Sequence, residues 1–272
     1  MSVKSVTAHM NMRSLSNGFK LLRQNPREFI KLLYSFLHTT PNPIVVYSEV
    51  TANCNNRCYF CAQDKVDRKG FIKDEVKDRV ANIISSYPDN RFKVYFHLLG
   101  EPLRYKGLLD YIRLLSMPNA ELWMSTNGVY LDDEMLYKLK KAGLKNIWYT
   151  MFYTNEADYN KNTRSDNYSK ARDNLQNLIS KSNMFERIHI VTFSEKADNI
   201  EKMIEHKINV TLRKCRTAIP WKYKPGLKDR QICVSINGDL TYHYYDYDFK
   251  NSAGNVCNLD NEAIMRGYHN KA

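Results

Sequence analysis

From residue 44 to residue 212 the chain repeats one unit, a short β-branched run followed by apolar residues at helical spacing. The runs fall at 44–50, 92–98, 121–125, 146–151, 188–193 and 209–212. Val76, Val80, Ile83 and Ile84, then segments 108–115, 135–142, 171–179 and 200–204, carry the helical period between them. Gly143, directly after the third of these, suits a left-handed helix cap. Strands joined by helices run parallel and cross over right-handedly, so the alternation predicts a parallel sheet covered by helices. Six such units fall short of the eight that close a full barrel. The predicted fold class is α/β, a partial (β/α)6 barrel over residues 43–217.

Two further segments flank the repeat. In residues 1–42, Phe19, Leu21, Leu22, Phe29, Ile30, Leu32, Leu33, Phe36 and Leu37 recur at helical spacing among Lys20, Arg23, Arg27 and Lys31. Asn25-Pro26 divides them as an N-cap followed by proline at the first helical position, which predicts N-terminal helices, two and short. A basic amphipathic pair of this kind packs on a neighbouring domain, grips an anion or lies on a membrane. Beyond Ala218 the alternation stops, and 231–240 reads as a hairpin turning at Asn237-Gly238. Residues 218–272 are therefore expected to form a small C-terminal α+β extension.

With 272 residues, 43% of them hydrophobic, the chain can bury a sizeable core, which excludes disordered and low-complexity classes. No apolar run approaches the roughly 18–20 residues of a membrane span. No apolar segment follows Lys4 to make a secretory signal, so a cytoplasmic location is expected. Lys plus Arg exceed Asp plus Glu by 41 to 29, a formal charge of +12 spread without a long basic block. Two readings stand: a basic solvated surface, or anionic partners such as nucleic acid, nucleotides, acidic peptides or anionic membranes.

Of six cysteines, Cys54, Cys58 and Cys61 crowd one loop, while Cys215, Cys233 and Cys257 are dispersed. That is no disulfide framework; clustered thiols in a reducing compartment point to metal. The loop follows the first strand, at the rim where barrel enzymes assemble their sites. Three thiolates can hold three irons of a [4Fe–4S] cube and leave the fourth iron open for chemistry. Structural zinc wants four ligands, and neither His38 nor His97 supplies one at finger-like spacing. Iron–sulfur, zinc and buried structural cysteines are the readings, with spacing favouring the first.

Cys-x3-Cys-x2-Cys after the first strand of a βα repeat resembles the signature of radical S-adenosylmethionine (SAM) enzymes. Phe60, before the last cysteine, matches the aromatic that lies near the adenine in that family. Leu99-Gly100-Glu101-Pro102 is similar to the family's GGEP segment, with Leu99 in place of its first glycine. The resemblance assigns Gly100, Glu101 and Pro102 to the SAM amino group, a carboxylate meeting an ammonium. Ser125-Thr126-Asn127-Gly128 resembles the turn that contacts the SAM ribose and carboxylate, which implicates Ser125 and Asn127. Thr150 stands where relatives have the serine of Ser-x-Asp-Gly, but Phe152-Tyr153 replace the acid and glycine. Arg164 and Asn199 match an arginine and an asparagine that relatives carry near SAM.

The tail resembles a SPASM or twitch extension, which in relatives binds auxiliary clusters through a larger cysteine set. Here it is either degenerate or a site where Cys215, Cys233, Cys257 and His243 join. Tyr242, Tyr244, Tyr245 and Tyr247 either stack on a base or sugar or pack on the barrel. Cys215 is either a hydrogen donor to a substrate radical or an inert buried thiol.

The resemblance implies a [4Fe–4S] cluster and SAM as cofactors, an external one-electron donor such as flavodoxin or ferredoxin, and reductive cleavage of SAM to a 5′-deoxyadenosyl radical. The implied activity is hydrogen abstraction from a small polar or anionic substrate, such as a nucleoside, nucleotide or nucleic-acid base, with rearrangement, epimerisation or dehydrogenation. Maturation of a ribosomal peptide is the alternative, although the residues before Ile44 are too few for a winged-helix leader-binding module. A non-catalytic, metal-stabilised nucleic-acid-binding module is a third reading; it leaves the Gly-Glu-Pro and Thr-Asn-Gly turns without a purpose.

Overall fold

Every predicted strand of the repeat forms, its ends within a few residues of expectation. They are β1 (Ile44–Ser48), β2 (Phe92–Tyr95), β3 (Ala120–Thr126), β4 (Asn146–Thr150), β5 (Arg187–Thr192) and β6 (Val210–Lys214), parallel and paired in chain order. The computed structural model describes residues 42–193, 197–215 and 231–270, and the expected N-terminal helices lie outside them. Between the strands run α1 (Asp74–Ser85), α2 (Leu108–Leu114), α3 (Asp133–Ala142), α4 (Glu156–Thr163), α5 (Tyr168–Ser180) and α6 (Asp198–Ile204). Gly143 ends α3 at φ +106°, in the left-handed region expected of it.

Register explains which face each residue serves. Val46 lies opposite Val94, Val94 opposite Leu122, Met124 opposite Ile147, and Ile147 opposite Ile188. This apolar face packs with Val80, Ile84, Ile112, Leu136 and Leu178 of the helices into the main core. The residues between them point to the other, inner face, where one row reads Tyr47, Tyr95, Trp123, Asn146, Arg187.

The sheet does not stop at the repeat. β7 (Ile232–Val234) pairs parallel to β1, and β8 (Asp239–Thr241) and β9 (Gly254–Asn255) follow antiparallel. The result is one open nine-stranded sheet in the order β6-β5-β4-β3-β2-β1-β7-β8-β9. The hairpin turns at Asn237-Gly238 as expected, and α7 (Asn261–Asn270) closes the described chain. Tail residues are thereby carried to the inner face beside β1.

Candidate active site

The cysteine loop leaves β1 and is held from outside by backbone. Arg57 N and Tyr59 N donate to Thr163 O and Asn162 O at the end of α4, at 2.9 and 3.1 Å. Arg104 Nη1 reaches Cys54 O at 2.7 Å, and Asn56 N donates to Cys54 Sγ at 3.5 Å. Cys54, Cys58 and Cys61 all line one cavity of about 480 Å³, a volume usual for small-molecule sites. Burial, and then Glu101, push the Cys54 thiol up to about 12. Burial likewise raises Cys58 and Cys61. Left free, the three thiols are protonated; a thiophilic metal displaces those protons when it binds. Among the described residues, no three His, Cys, Asp or Glu side chains converge tightly enough to chelate a single ion.

Glu101 lies in the same cavity wall, 1% exposed. Its Oε1 accepts from Thr126 Oγ1 at 2.7 Å and from Leu103 N at 3.2 Å; its Oε2 accepts from Asn127 N at 2.8 Å. A carboxylate has about four acceptor positions, so one remains for a ligand. Burial raises this carboxyl to about 7, against the pull of those donors. Gly100 is what lets the Glu101 turn sit there. Its φ is +72°, and a Cβ on it would stand 2.3 Å from Thr51 O and 2.8 Å from Asn53 O. The close approach is to the backbone leading into Cys54, which locks the Gly-Glu-Pro turn to the cysteine loop. Pro102, buried behind the carboxylate, starts a short 3-10 turn.

Most of the other expected residues converge on this cavity. Ser125, Asn127 and Thr150 line it, and Thr150 Oγ1 donates to Thr126 O at 2.9 Å. Asn127 Nδ2 bridges to Asn55 Oδ1 at 2.9 Å and faces Cys54 Sγ at 3.7 Å. Phe60 closes one side, edge-on to Phe152 and Phe193 at 4.8 and 5.4 Å. Cys215 also lines the cavity. Arg164 and Asn199 do not line it. Arg164 takes a left-handed conformation at the end of α4 and pairs with Asp64 at 3.8 Å. Asn199 lies on α6, in a neighbouring pocket with Met151 and Tyr168.

The dispersed cysteines stay apart. Cys215 is in the cavity, Cys233 is fully buried on β7 and Cys257 is exposed. Tyr242 is buried and donates to Ile264 O in α7, whereas Tyr244, Tyr245 and Tyr247 line the cavity. Sequence reasoning missed Tyr47, Tyr95, His97 and Trp148, which complete the aromatic part of the wall. A signal was available for three of them: Tyr47, Tyr95 and Trp148 sit at inner-face positions of strands whose alternate residues are apolar core, and His97 follows two residues beyond the end of β2.

Thiols and a buried carboxylate with an open acceptor position, at the C-terminal rim of an open βα sheet, define a cofactor-dependent enzyme of partial-barrel type. A family model for the radical SAM superfamily matches residues 48–214, more than half of the chain, which therefore belongs to that superfamily. The chain is 30% identical over 107 residues to the tungsten-containing aldehyde ferredoxin oxidoreductase cofactor-modifying protein of Pyrococcus furiosus, covering 39% of this chain and 30% of that protein. It is 25% identical over 164 residues to a probable GTP 3′,8-cyclase of Saccharolobus islandicus, covering 59% and 52%. The chain thus spans about half or less of these relatives' lengths.

Among solved structures, anSMEcpe with bound AdoMet superposes with a TM-score of 0.63 at 14% identity over 84% of this chain and 82% of that one. BtrN in complex with AdoMet and 2-DOIA gives 0.56 at 17% over 85% and 84%. SuiB of Streptococcus suis bound to its precursor peptide SuiA gives 0.54 at 12% over 92% and 70%. At these identities the likeness is one of fold. As a radical SAM enzyme the protein uses a [4Fe–4S] cluster and SAM. The donor set fits both: soft thiols for iron, and beside them a carboxylate for an ammonium.

Proposed function

We propose that Cys54, Cys58 and Cys61 hold three irons of the cluster, and that the cavity beside them takes SAM and a small polar or anionic substrate from which hydrogen is abstracted. The observation that carries this reading is the sharing of one cavity by the three thiols and the Glu101 carboxylate. When bound, the cluster and SAM supply a carbon-centred radical able to take hydrogen from an unactivated C–H bond. The chain's part is to bind, aim and exclude water. Glu101 receives the SAM ammonium, with Gly100 and Pro102 fixing its turn; Ser125, Asn127 and Thr150 offer polar contacts to the ribose and carboxylate; Phe60 covers the adenine. Arg164 reaches the SAM carboxylate only by leaving Asp64, and Asn199 serves from the neighbouring pocket. Cys215 places a thiol in the cavity wall, where it can return hydrogen to the substrate.

Rearrangement, epimerisation and dehydrogenation all begin with this abstraction, and a nucleoside, nucleotide or nucleic-acid base is the favoured substrate. A small cavity supports it over the second reading, peptide maturation, for which the likeness to peptide-bound SuiB speaks. An external one-electron donor such as flavodoxin or ferredoxin is required, and a reducing cytoplasm suits thiols that must stay unpaired. Among the described residues no helix is long and apolar enough to cross a membrane. The test is anaerobic: reconstituted protein, dithionite and SAM should release methionine and 5′-deoxyadenosine, and C54A/C58A/C61A should release neither. Equal release by the triple variant would refute the assignment.

A further inference from the structure

Interior strand positions of a barrel are ordinarily filled by bulky branched apolar side chains. On this sheet the inner face departs from that rule next to the cavity. Lys93 of β2, Glu121 and Trp123 of β3, Arg187 and His189 of β5, and Arg213 of β6 occupy it. The group is electrically coupled: burial first, then Arg213, Lys93 and Arg187, push His189 down to about 4.

Of these cations Arg187 is paired within the fold, whereas among the described residues Lys93 and Arg213 are not. Glu121 is committed to Arg187 at 2.8 Å and to the Trp123 indole N–H. Among the described residues, neither Lys93 nor Arg213 has a carboxylate within salt-bridge distance. Each lies instead over an indole ring, Lys93 Nζ 4.4 Å from the Trp123 centroid and Arg213 5.0 Å from that of Trp148. Lys93 is half-buried, which lowers its affinity for its proton, while Arg187 and Arg213 are exposed. His189 stacks on Trp123 at 5.0 Å, and its Nδ1 is buried without a hydrogen-bond partner. A second orphaned nitrogen, His97 Nδ1, belongs to the cavity wall itself. Buried polar atoms left unpaired are costly, and a water, an ion or a ligand oxygen can satisfy them.

The two regions are contiguous. Register sets Arg213 beside Val191, which lines the cavity and itself lies beside Thr150. Neighbouring strands are about 4.8 Å apart and residues two apart on a strand about 7 Å, so Arg213, beside Val191, and Lys93, two residues from Tyr95, stand one short step from the cavity wall, with Arg187 further along β5. Between lies an aromatic band: Tyr47 stacked on Tyr95 at 4.8 Å, then His97 and Trp148.

We propose that Lys93, Arg187, Arg213 and His189 form an anion subsite, and that the substrate is a phosphorylated ring compound whose ring rests on the aromatic band and whose phosphate is held by the three cations and the His189 imidazole. This rests on the reading above only in placing the reacting carbon in the cavity. Such a ligand neutralises the unpaired cations, offers oxygens to a neutral imidazole and covers the aromatic faces at once.

The experiment uses reconstituted protein saturated with SAM and calorimetric titration with matched pairs: each of four nucleoside 5′-monophosphates against its nucleoside, and glucose 6-phosphate against glucose. At least one phosphorylated member should bind tenfold or more tightly than its partner, the pair identifying nucleotide or sugar as the source. That advantage should vanish in K93M and R213M but persist in K141M, on exposed α3 surface. The wild-type comparison decides alone should a variant fail to fold. Equal binding within every pair, or binding of an acidic peptide and of no phosphorylated compound, overturns the inference. If iron or SAM is not bound at all, it is the cofactor assignment that has failed; with both bound and no preference for phosphate, only the subsite falls.

Discussion

Glu101 is the residue on which the cofactor assignment turns. Three donors from two elements hold its carboxylate, yet burial still raises it to about 7. Below that pH an arriving ammonium meets a neutral carboxyl and must first displace its proton; above it the carboxylate is already charged. SAM affinity should therefore rise as pH climbs through about 7 and level off beyond. Glu101→Gln should lose at least tenfold in affinity at pH 8, and the pH dependence with it; equilibrium dialysis of labelled SAM from pH 5.5 to 8.5 measures both. The cysteines, Gly100 and Glu101 were legible in the sequence because each belongs to a short contiguous segment. Thr126, which anchors Glu101 from a different strand, was not, since its role exists only once β2 and β3 are side by side.

At the scale of elements, the rigidity of the cysteine loop has a source outside the cavity. Glu49, just past β1 and fully buried, forms a two-point pair with Arg68 at 2.7 and 2.8 Å. Glu49 also accepts from Ile236 N at 3.3 Å, and Arg68 donates to Tyr247 O and lies 5.0 Å from the Phe249 ring. One ion pair thus ties β1, the stretch after Cys61 and the tail together. Removing one partner of a buried pair strands the other charge, so Arg68→Ala should cost about 3–5 kcal/mol in urea denaturation. A loss under 1 kcal/mol would show that the pair is not a pin. The strands and most helices were readable because period 2 and period 3.6 reflect burial of one face. α4 was not: it buries only Tyr159 and Thr163, too few for a periodic signal, although its end holds the cysteine loop.

For the molecule as a whole, the partial barrel followed from the repeat, whereas the sheet's second edge did not. β7 joins β1 in parallel although the hairpin it opens looks, in sequence, like a separate small unit. Strand order across such a distance is set by packing, for which short strands of three residues carry little local code. That pairing is what brings Tyr244, Tyr245 and Tyr247 to the cavity while leaving Cys215, Cys233 and Cys257 dispersed. Cys54, Cys58 and Cys61 are thus proposed as one cluster site, and among the described residues the other three cysteines form no second group. Iron and labile sulfide per chain after anaerobic reconstitution test this most directly. A single [4Fe–4S] site gives about four of each in the wild type and none in C54A/C58A/C61A. About eight irons falling to about four in the triple variant would contradict a single site, and zinc in place of iron would contradict the cluster itself.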